Sequence, residues 1–311
     1  GLPGADFRVG AHSTRVRYGA NDGSYGLPAR RLAQAVTTDP NGVETVEIST
    51  LLGQVVCKTA GLRSGAQDEP ATSFTRYDDA GNPVELRSPN YYRPPAGSVA
   101  DDWVTRQDFD YAGRIVRVAV GNPEREGVTE MVYDPAGNLR FLQDPQGARD
   151  GCFNYWKYDR FGRVIESGYV QGVWDRSELE RRARTDPAWP EAPATWRRRN
   201  FWDGDDPGAR SAGRVHRVEA QRGGDGKADV VETYAYDVFG NTVSVSTAVA
   251  GFDEYRVGYA YDDAGCLRRI AYPGAPGGDG WQVKYTYDAL RRVRAIGATP
   301  GGTDPLVPYD Y

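Results

Sequence analysis

The chain has 311 residues, with 38 glycines, 20 prolines, 12% aromatic residues, one methionine and four lysines among its 38 basic residues. That length can bury one large core or two ordinary ones; frequent glycine and proline oppose long helices, and the aromatic content opposes a disordered chain. A formal charge of −5 excludes general attraction to nucleic acid or anionic lipid as the basis of function, and no run approaches the roughly eighteen apolar residues of a membrane-spanning helix. Residues 1–38 read as an irregular lead-in or edge-covering segment, with His12, Tyr18 and a tight Tyr25-Gly26-Leu27-Pro28 turn. From residue 39 onward the chain reads as a strip of β-hairpins.

The strip is built on a repeated unit, aromatic-Asp-x-x-Gly. Clean copies are Tyr77-Asp78..Gly81, Phe109-Asp110..Gly113, Tyr133-Asp134..Gly137, Tyr158-Asp159..Gly162, Tyr236-Asp237..Gly240 and Tyr261-Asp262..Gly265. In two degenerate copies, Trp202-Asp203 meets its glycine only at Gly213, and Tyr287-Asp288 has Arg291 in the glycine position. Ser49-Thr50..Gly53 keeps the spacing without the aromatic or the acid and reads as a decayed first unit. From Tyr77 to Tyr287 the aromatics are separated by 32, 24, 25, 44, 34, 25 and 26 residues, the period of a repeat architecture with insertions.

An Asp at the first corner of a turn accepts bonds from backbone N–H groups just ahead of it, and a Gly at the fourth corner takes a positive φ. Each unit is therefore expected to be a strand, an Asp-initiated turn and a returning strand. Period-two pairs such as Trp156-x-Tyr158, Tyr234-x-Tyr236, Tyr259-x-Tyr261 and Tyr285-x-Tyr287 place aromatics along one face. A second class of turn, Asp39-Pro40-Asn41-Gly42, Gly121-Asn122-Pro123, Asp144-Pro145-Gln146-Gly147 and Pro273-Gly274-Ala275-Pro276-Gly277-Gly278, is expected to separate the hairpins of one long antiparallel meander.

Between about residues 169 and 201 the pattern is interrupted by an inserted loop rich in Arg, Trp and Pro, carrying Trp174, Trp189, Trp196, Pro187, Pro190, Pro193 and Arg197-Arg198-Arg199. Its segment Ser177–Arg184 predicts two turns of helix capped by Ser177, with Glu180 in capping-box position. The insertion could bind phosphate, but tryptophans pinning a long loop with arginines facing solvent or nearby acids is the favoured reading.

Reactive chemistry is sparse. His12 and His216 cannot build a histidine zinc site, and His216 falls at an outgoing strand position expected to face solvent. Cys57, Cys152 and Cys266 are widely spaced and odd in number, and none sits in a CxxC pair. Neither a nucleophile elbow nor a phosphate-binding loop is present, so no catalytic, cofactor or metal residue is assigned. The repeated aspartates are explained by their turns rather than by acid–base work.

The units Tyr133-Asp134-Pro135-Ala136-Gly137-Asn138-Leu139 and Tyr158-Asp159-Arg160-Phe161-Gly162-Arg163-Val164 resemble the YD repeats of the RHS family. That family includes bacterial polymorphic toxins, the B and C components of insecticidal Tc toxin complexes, wall-associated proteins and animal teneurins. The resemblance covers the chain from about residue 36 onward. It implies an all-β fold of antiparallel hairpins in a curved or spiralling sheet, a shell segment of a longer, secreted parent chain. The implied function is noncatalytic encapsulation of a polypeptide toxin, with further YD repeats and a toxin or toxin-complex subunit as partners and no cofactor. A glycan- or cell-surface-protein-binding module is the alternative, a piece of a nucleic-acid-processing toxin the remote one.

The family's self-cleavage motif, Asp-Pro-x-Gly-Leu, is not matched at Asp304-Pro305-Leu306-Val307 or at the Asp-Pro pairs beginning at Asp39, Asp134 and Asp144, so self-cleavage is not assigned. Tyr311 lies 24 residues after Tyr287, and this leads to the expectation of another repeat beyond it.

Overall fold

The computed structural model describes residues 13–63, 71–121, 127–191, 196–205, 210–223, 225–274, 280–300 and 306–308. His12, Pro193, Asp304-Pro305, Tyr311 and parts of the turns at 121–123 and 273–278 lie outside the described residues. The chain divides into two compact units, Gly1–Met131 with Leu142–Arg149, and Val132–Phe141 with Asp150–Tyr311.

In the first unit the strands follow in order: β1 (Arg15–Ala20), β2 (Ala33–Thr38), β3 (Val43–Ser49), β4 (Val55–Arg63), β5 (Ala71–Tyr77), β6 (Pro83–Arg87), β7 (Val104–Phe109), β8 (Ile115–Val120) and β9 (Gly127–Tyr133), whose last residues belong to the second unit. Each pairs antiparallel with the next. Such a meander arises because every apolar or aromatic stretch is five to nine residues long and ends at a turn signal. The core is small. Val46, Ile48 and Cys57 are buried, and Tyr25, Leu27, Leu32 and Phe74 pack against them, so the segment between β1 and β2 folds over the sheet.

The second unit continues with β10 (Leu139–Gln143), which ends in the first unit, then β11 (Cys152–Tyr158), β12 (Val164–Gln171), β13 (Trp196–Trp202), β14 (Val215–Ala220), β15 (Val230–Tyr236), β16 (Thr242–Val249), β17 (Tyr255–Tyr261), β18 (Leu267–Ala271), β19 (Trp281–Tyr287), β20 (Val293–Pro300) and β21 (Leu306–Pro308). From β11 to β21 neighbours in sequence are antiparallel neighbours in space. The repetitive antiparallel hairpin fold expected from the sequence is the observed fold.

Three local expectations need correction. The insertion carries a helix over Arg176–Thr185, and its cap is Asp175, whose carboxylate accepts from the Glu178 N–H at 3.1 Å. A carboxylate two residues earlier than Ser177 both bonds the free N–H and meets the positive end of the helix, so the helix gains a turn. Asp144 starts a short helix, Pro145–Asp150, rather than a plain turn, its carboxylate accepting from Gly147 N at 2.6 Å. His216 is half-buried instead of solvent-facing, because Gly204 lies against its ring. A Cβ on Gly204 would fall 2.5 Å from the imidazole Cγ, and Nδ1 is enclosed with no hydrogen-bond partner among the described residues.

The insertion forms the largest buried cluster. Leu179 and Ala183 of the helix press on Val132, Phe141, Phe153 and Tyr155 of the sheet, with Val170, Trp174 and Trp189 at the margin. Phe153 meets Trp174 edge-on at 5.6 Å between centroids, and Phe141 meets Trp189 in the same way at 5.5 Å. Arg140 is 2% exposed beneath this layer and donates to the carbonyls of Trp156, Pro187 and Trp189, tying strand to insertion. Within the insertion, Arg181 and Arg182 pair with Glu178, Arg182 also with Asp186, and Arg199 with Glu166 on β12.

Candidate functional site: a turn lock and two unlike faces

Each repeat turn is closed by its aspartate. At Asp237, Oδ1 accepts from the N–H of Phe239 at 2.9 Å and of Asn241 at 2.8 Å, while Oδ2 accepts from the Asn241 side-chain amide at 2.9 Å. The Asp237 N–H reaches the Asn241 carbonyl, and the Gly240 N–H reaches the Asp237 carbonyl. The same clamp appears at Asp78 with Asn82, at Asp134 with Asn138, and, with an arginine in place of the amide, at Asp110 with Arg114, Asp159 with Arg163 and Asp288 with Arg292. At Asp262 the backbone part of the clamp remains, through Cys266 N at 2.8 Å.

The motif glycines Gly81, Gly113, Gly137, Gly162, Gly240 and Gly265 have φ between 75° and 90°, left-handed backbone that completes the turn with a bulge. Arg291 occupies the same conformation at φ 61° with a side chain present. The Trp202 repeat keeps the closure across a longer loop: Asp203 Oδ1 accepts from Gly213 N at 2.5 Å and Asp203 N donates to the Arg214 carbonyl. Thr50 takes the role of the aspartate with its hydroxyl on Gln54 N at 3.2 Å. Asp39, expected in the other class of turn, closes its turn in the same manner through Asn41 N and Val43 N.

The motif aromatic acts on the preceding hairpin. Tyr77 Oη donates to the Val55 carbonyl, Tyr158 to Leu139, Tyr236 to Val215, Tyr261 to Thr242 and Tyr287 to Leu267, at 2.7 to 3.1 Å. Trp202 substitutes its indole Nε1–H, which reaches the Val164 carbonyl at 3.0 Å. In every case the acceptor is the first residue of the outgoing strand one hairpin back. Phe109 has no donor to offer. Sequence reading finds the turn because its partners lie within five residues; the tyrosine bond spans about twenty and leaves no local signal.

These geometries shift the titration of the groups involved. The side-chain amide of Asn82 and its backbone N–H hold the Asp78 carboxyl below its ordinary value, and Asn241 does the same to Asp237. At Asp110 and Asp159 partial burial works upward, but the backbone and guanidinium bonds from Arg114 and Arg163 outweigh it and the carboxyls are lowered. Burial raises the phenols of Tyr158, Tyr236, Tyr261 and Tyr287. Tyr234 is pushed up to about 12 by burial and by its bond to Glu232.

The register separates two faces. On one, Tyr234, Val245 and Val257 stand opposite one another across β15–β17; Tyr259, Ile270 and Val283 do so across β17–β19, and Tyr285 faces Ile296. On the other, Lys157, Glu166, Arg199 and Glu219 make a row of alternating charge across β11–β14. Glu166 also accepts from Tyr155 at 2.9 Å; burial would raise its carboxyl, yet the bonds from Lys157 and Arg199 hold it low. This second face continues through Ala235, Ser244, Gly258 and Ala271, and it is the face that the insertion covers at Phe153 and Tyr155.

Among the described residues no three His, Cys, Asp or Glu side chains gather where they could hold a metal ion, and no disulfide joins the cysteines. Cys57 is buried, and burial pushes its thiol up, away from reactivity.

No protein-family model matches the chain, and no curated protein matches it. Among solved structures, TcdB2-TccC3-Cdc42 superposes on 90% of this chain with a TM-score of 0.63 at 15% identity. TcdB2-TccC3 without its hypervariable C-terminal region superposes on 90% with a TM-score of 0.62 at 14% identity. The chain has the RHS/YD-repeat fold. It spans only 14% and 13% of the lengths of those two structures, so what is matched is a stretch of YD-repeat sheet and not a whole toxin-complex component. In this YD-repeat sheet the aromatic-Asp-x-x-Gly unit supplies two separate devices, an aspartate that closes its own hairpin and an aromatic donor that reaches the one before.

Proposed function

We propose that the chain is a noncatalytic wall segment of a secreted YD-repeat shell that surrounds a polypeptide toxin. The observation that carries this reading is the backward bond of the motif aromatics. The hairpins of Tyr77, Tyr158, Trp202, Tyr236, Tyr261 and Tyr287 are each fastened to the one before by a donor built into their own repeat, so a wall of any length grows without a new core for each addition. We assign the repeat residues, including Trp202, Asp203 and Gly213, this structural role and no part in substrate chemistry. The partners are further repeats of the parent chain and an enclosed toxin or toxin-complex subunit, as the likeness to TcdB2-TccC3 supports.

Recognition of a glycan by the motif tyrosines is the weaker reading, because five of their hydroxyls are already committed to backbone carbonyls. The test is an electron cryo-microscopy structure of the full parent chain. Polypeptide density inside a cavity walled by residues 77–300 is the expected result. A solid or empty repeat array, together with specific retention on a glycan array, would overturn encapsulation.

A further inference from the structure

Away from the repeat turns, the sheet of the second unit carries aromatics that the motif does not account for. Tyr255 opens β17, Tyr272 directly follows β18 and Trp281 opens β19. They are 44%, 44% and 53% exposed, and exposed rings gathered in one place mark an interaction site where scattered ones do not. Tyr255 lies four residues before Tyr259, Tyr272 two after Ile270 and Trp281 two before Val283, even steps that keep all three on the face of those residues.

The ladder holds them together. The Tyr272 N–H donates to the Trp281 carbonyl at 2.7 Å, one pair beyond Ala271 and Gln282, so the two rings stand on opposed residues. Gly280 approaches so closely that a Cβ there would collide with the Tyr272 carbonyl and stand 3.1 Å from the Gly274 nitrogen. Gly258 faces Ala271, which makes Tyr255 the diagonal neighbour of Tyr272 at about 8 Å, within reach of an aromatic side chain. The strand positions bordering the rings on this face are Val257, Ile270, Val283 and Thr247, with Glu232 beyond Thr247, and none is basic. Asp253 and Glu254, both exposed, lead into Tyr255. Arg256 turns to the other face, where its guanidinium meets the Ser244 hydroxyl at 2.9 Å.

We propose that Tyr255, Tyr272 and Trp281 form a platform that docks a basic polypeptide segment through its lysine and arginine side chains. The face of an aromatic ring is the negative part of its quadrupole and attracts a cation laid over it, most strongly on tryptophan. The carboxylates beside the platform carry the complementary charge. The chain uses the same combination internally: Arg163 lies 4.7 Å over Trp202 and pairs with Asp203, and Arg182 lies 4.7 Å over Trp189 and pairs with Asp186. Nucleic acid fits less well, because its phosphates would meet Asp253 and Glu254. A neutral glycan would lie on the rings without using the charge beside them. The proposal is independent of whether the wall encloses a toxin.

Fluorescence anisotropy on the whole chain tests it, with a dye-labelled peptide of alternating lysine and serine as probe. A glutamate and serine peptide and a neutral, dye-labelled glucose hexasaccharide serve as comparisons. The lysine peptide is expected to bind. Tyr272→Ala with Trp281→Ala leaves the net charge unchanged and should weaken binding about tenfold. Asp253→Asn with Glu254→Gln should also weaken it, whereas Phe161→Ala with Phe239→Ala, which removes two exposed rings at repeat turns, should not. Trp281→Leu keeps an apolar side chain without the ring face; it should weaken binding at an unchanged melting temperature, which keeps the test valid if the double alanine variant is poorly folded. No binding by the parent chain, equal binding by the parent and the variants lacking platform rings, or tighter binding of the hexasaccharide through the same rings would each overturn the proposal.

Discussion

Tyr236 joins two hairpins with one atom: its ring lies in its own repeat and its hydroxyl is spent on the Val215 carbonyl at 2.7 Å. Tyr236→Phe keeps the ring and removes that bond, and should lower stability by about 1 kcal/mol in urea unfolding. Phe109 is a natural instance of the same loss. The opposite sign is expected at Arg291, where a side chain occupies left-handed backbone that six other repeats give to glycine. Arg291→Gly relieves that strain and should raise stability by about 1 kcal/mol in the same assay, an increase small enough to require matched unfolding slopes.

At the scale of elements, the insertion behaves as a lid fastened to β10–β12 by apolar packing and one buried guanidinium. Arg140→Met strands three backbone carbonyls beneath the layer, and Leu179→Ala opens a cavity against Phe141 and Phe153; each should cost about 3 kcal/mol. Hydrogen exchange should accelerate over residues 174–189 in both variants while β15–β16 keeps its protection, since repeats couple mainly to their neighbours. Stability loss shared evenly across all hairpins would contradict this. These contacts also mark the limit of what the sequence discloses. The hairpins and the Asp turns were legible because each clamp closes within five residues. The bond from Arg140 to Pro187 joins residues far apart in the chain, and Ser177 satisfies the same local cap pattern that Asp175 fills. Asp39 is followed by a proline, the mark of another class of turn, although its carboxylate makes the repeat's own clamp.

Over the whole molecule the clamps give a shared dependence on pH. The carboxyls of Asp78, Asp110, Asp159, Asp237 and Asp288 all lie below the ordinary 3.8 in the folded chain, so the unfolded chain binds protons more readily. Their contribution is complete above that value and is lost as pH falls through the folded values. The urea midpoint should therefore be level from about pH 7 to 5 and decline from about pH 4 downward, less steeply in Asp237→Asn. The motif phenols have the reverse sign: raised by burial, they stabilise the fold below about pH 10, and that contribution disappears as pH rises through their folded values. The Asp203 turn carries one more implication. Its closing bonds survive with Gly213 placed ten residues after Asp203, where other repeats place the glycine three residues on. The edge of this sheet is thus a place where foreign sequence can be spliced without disturbing the strands, so a descendant protein can acquire a new epitope or tether there while inheriting the wall unchanged.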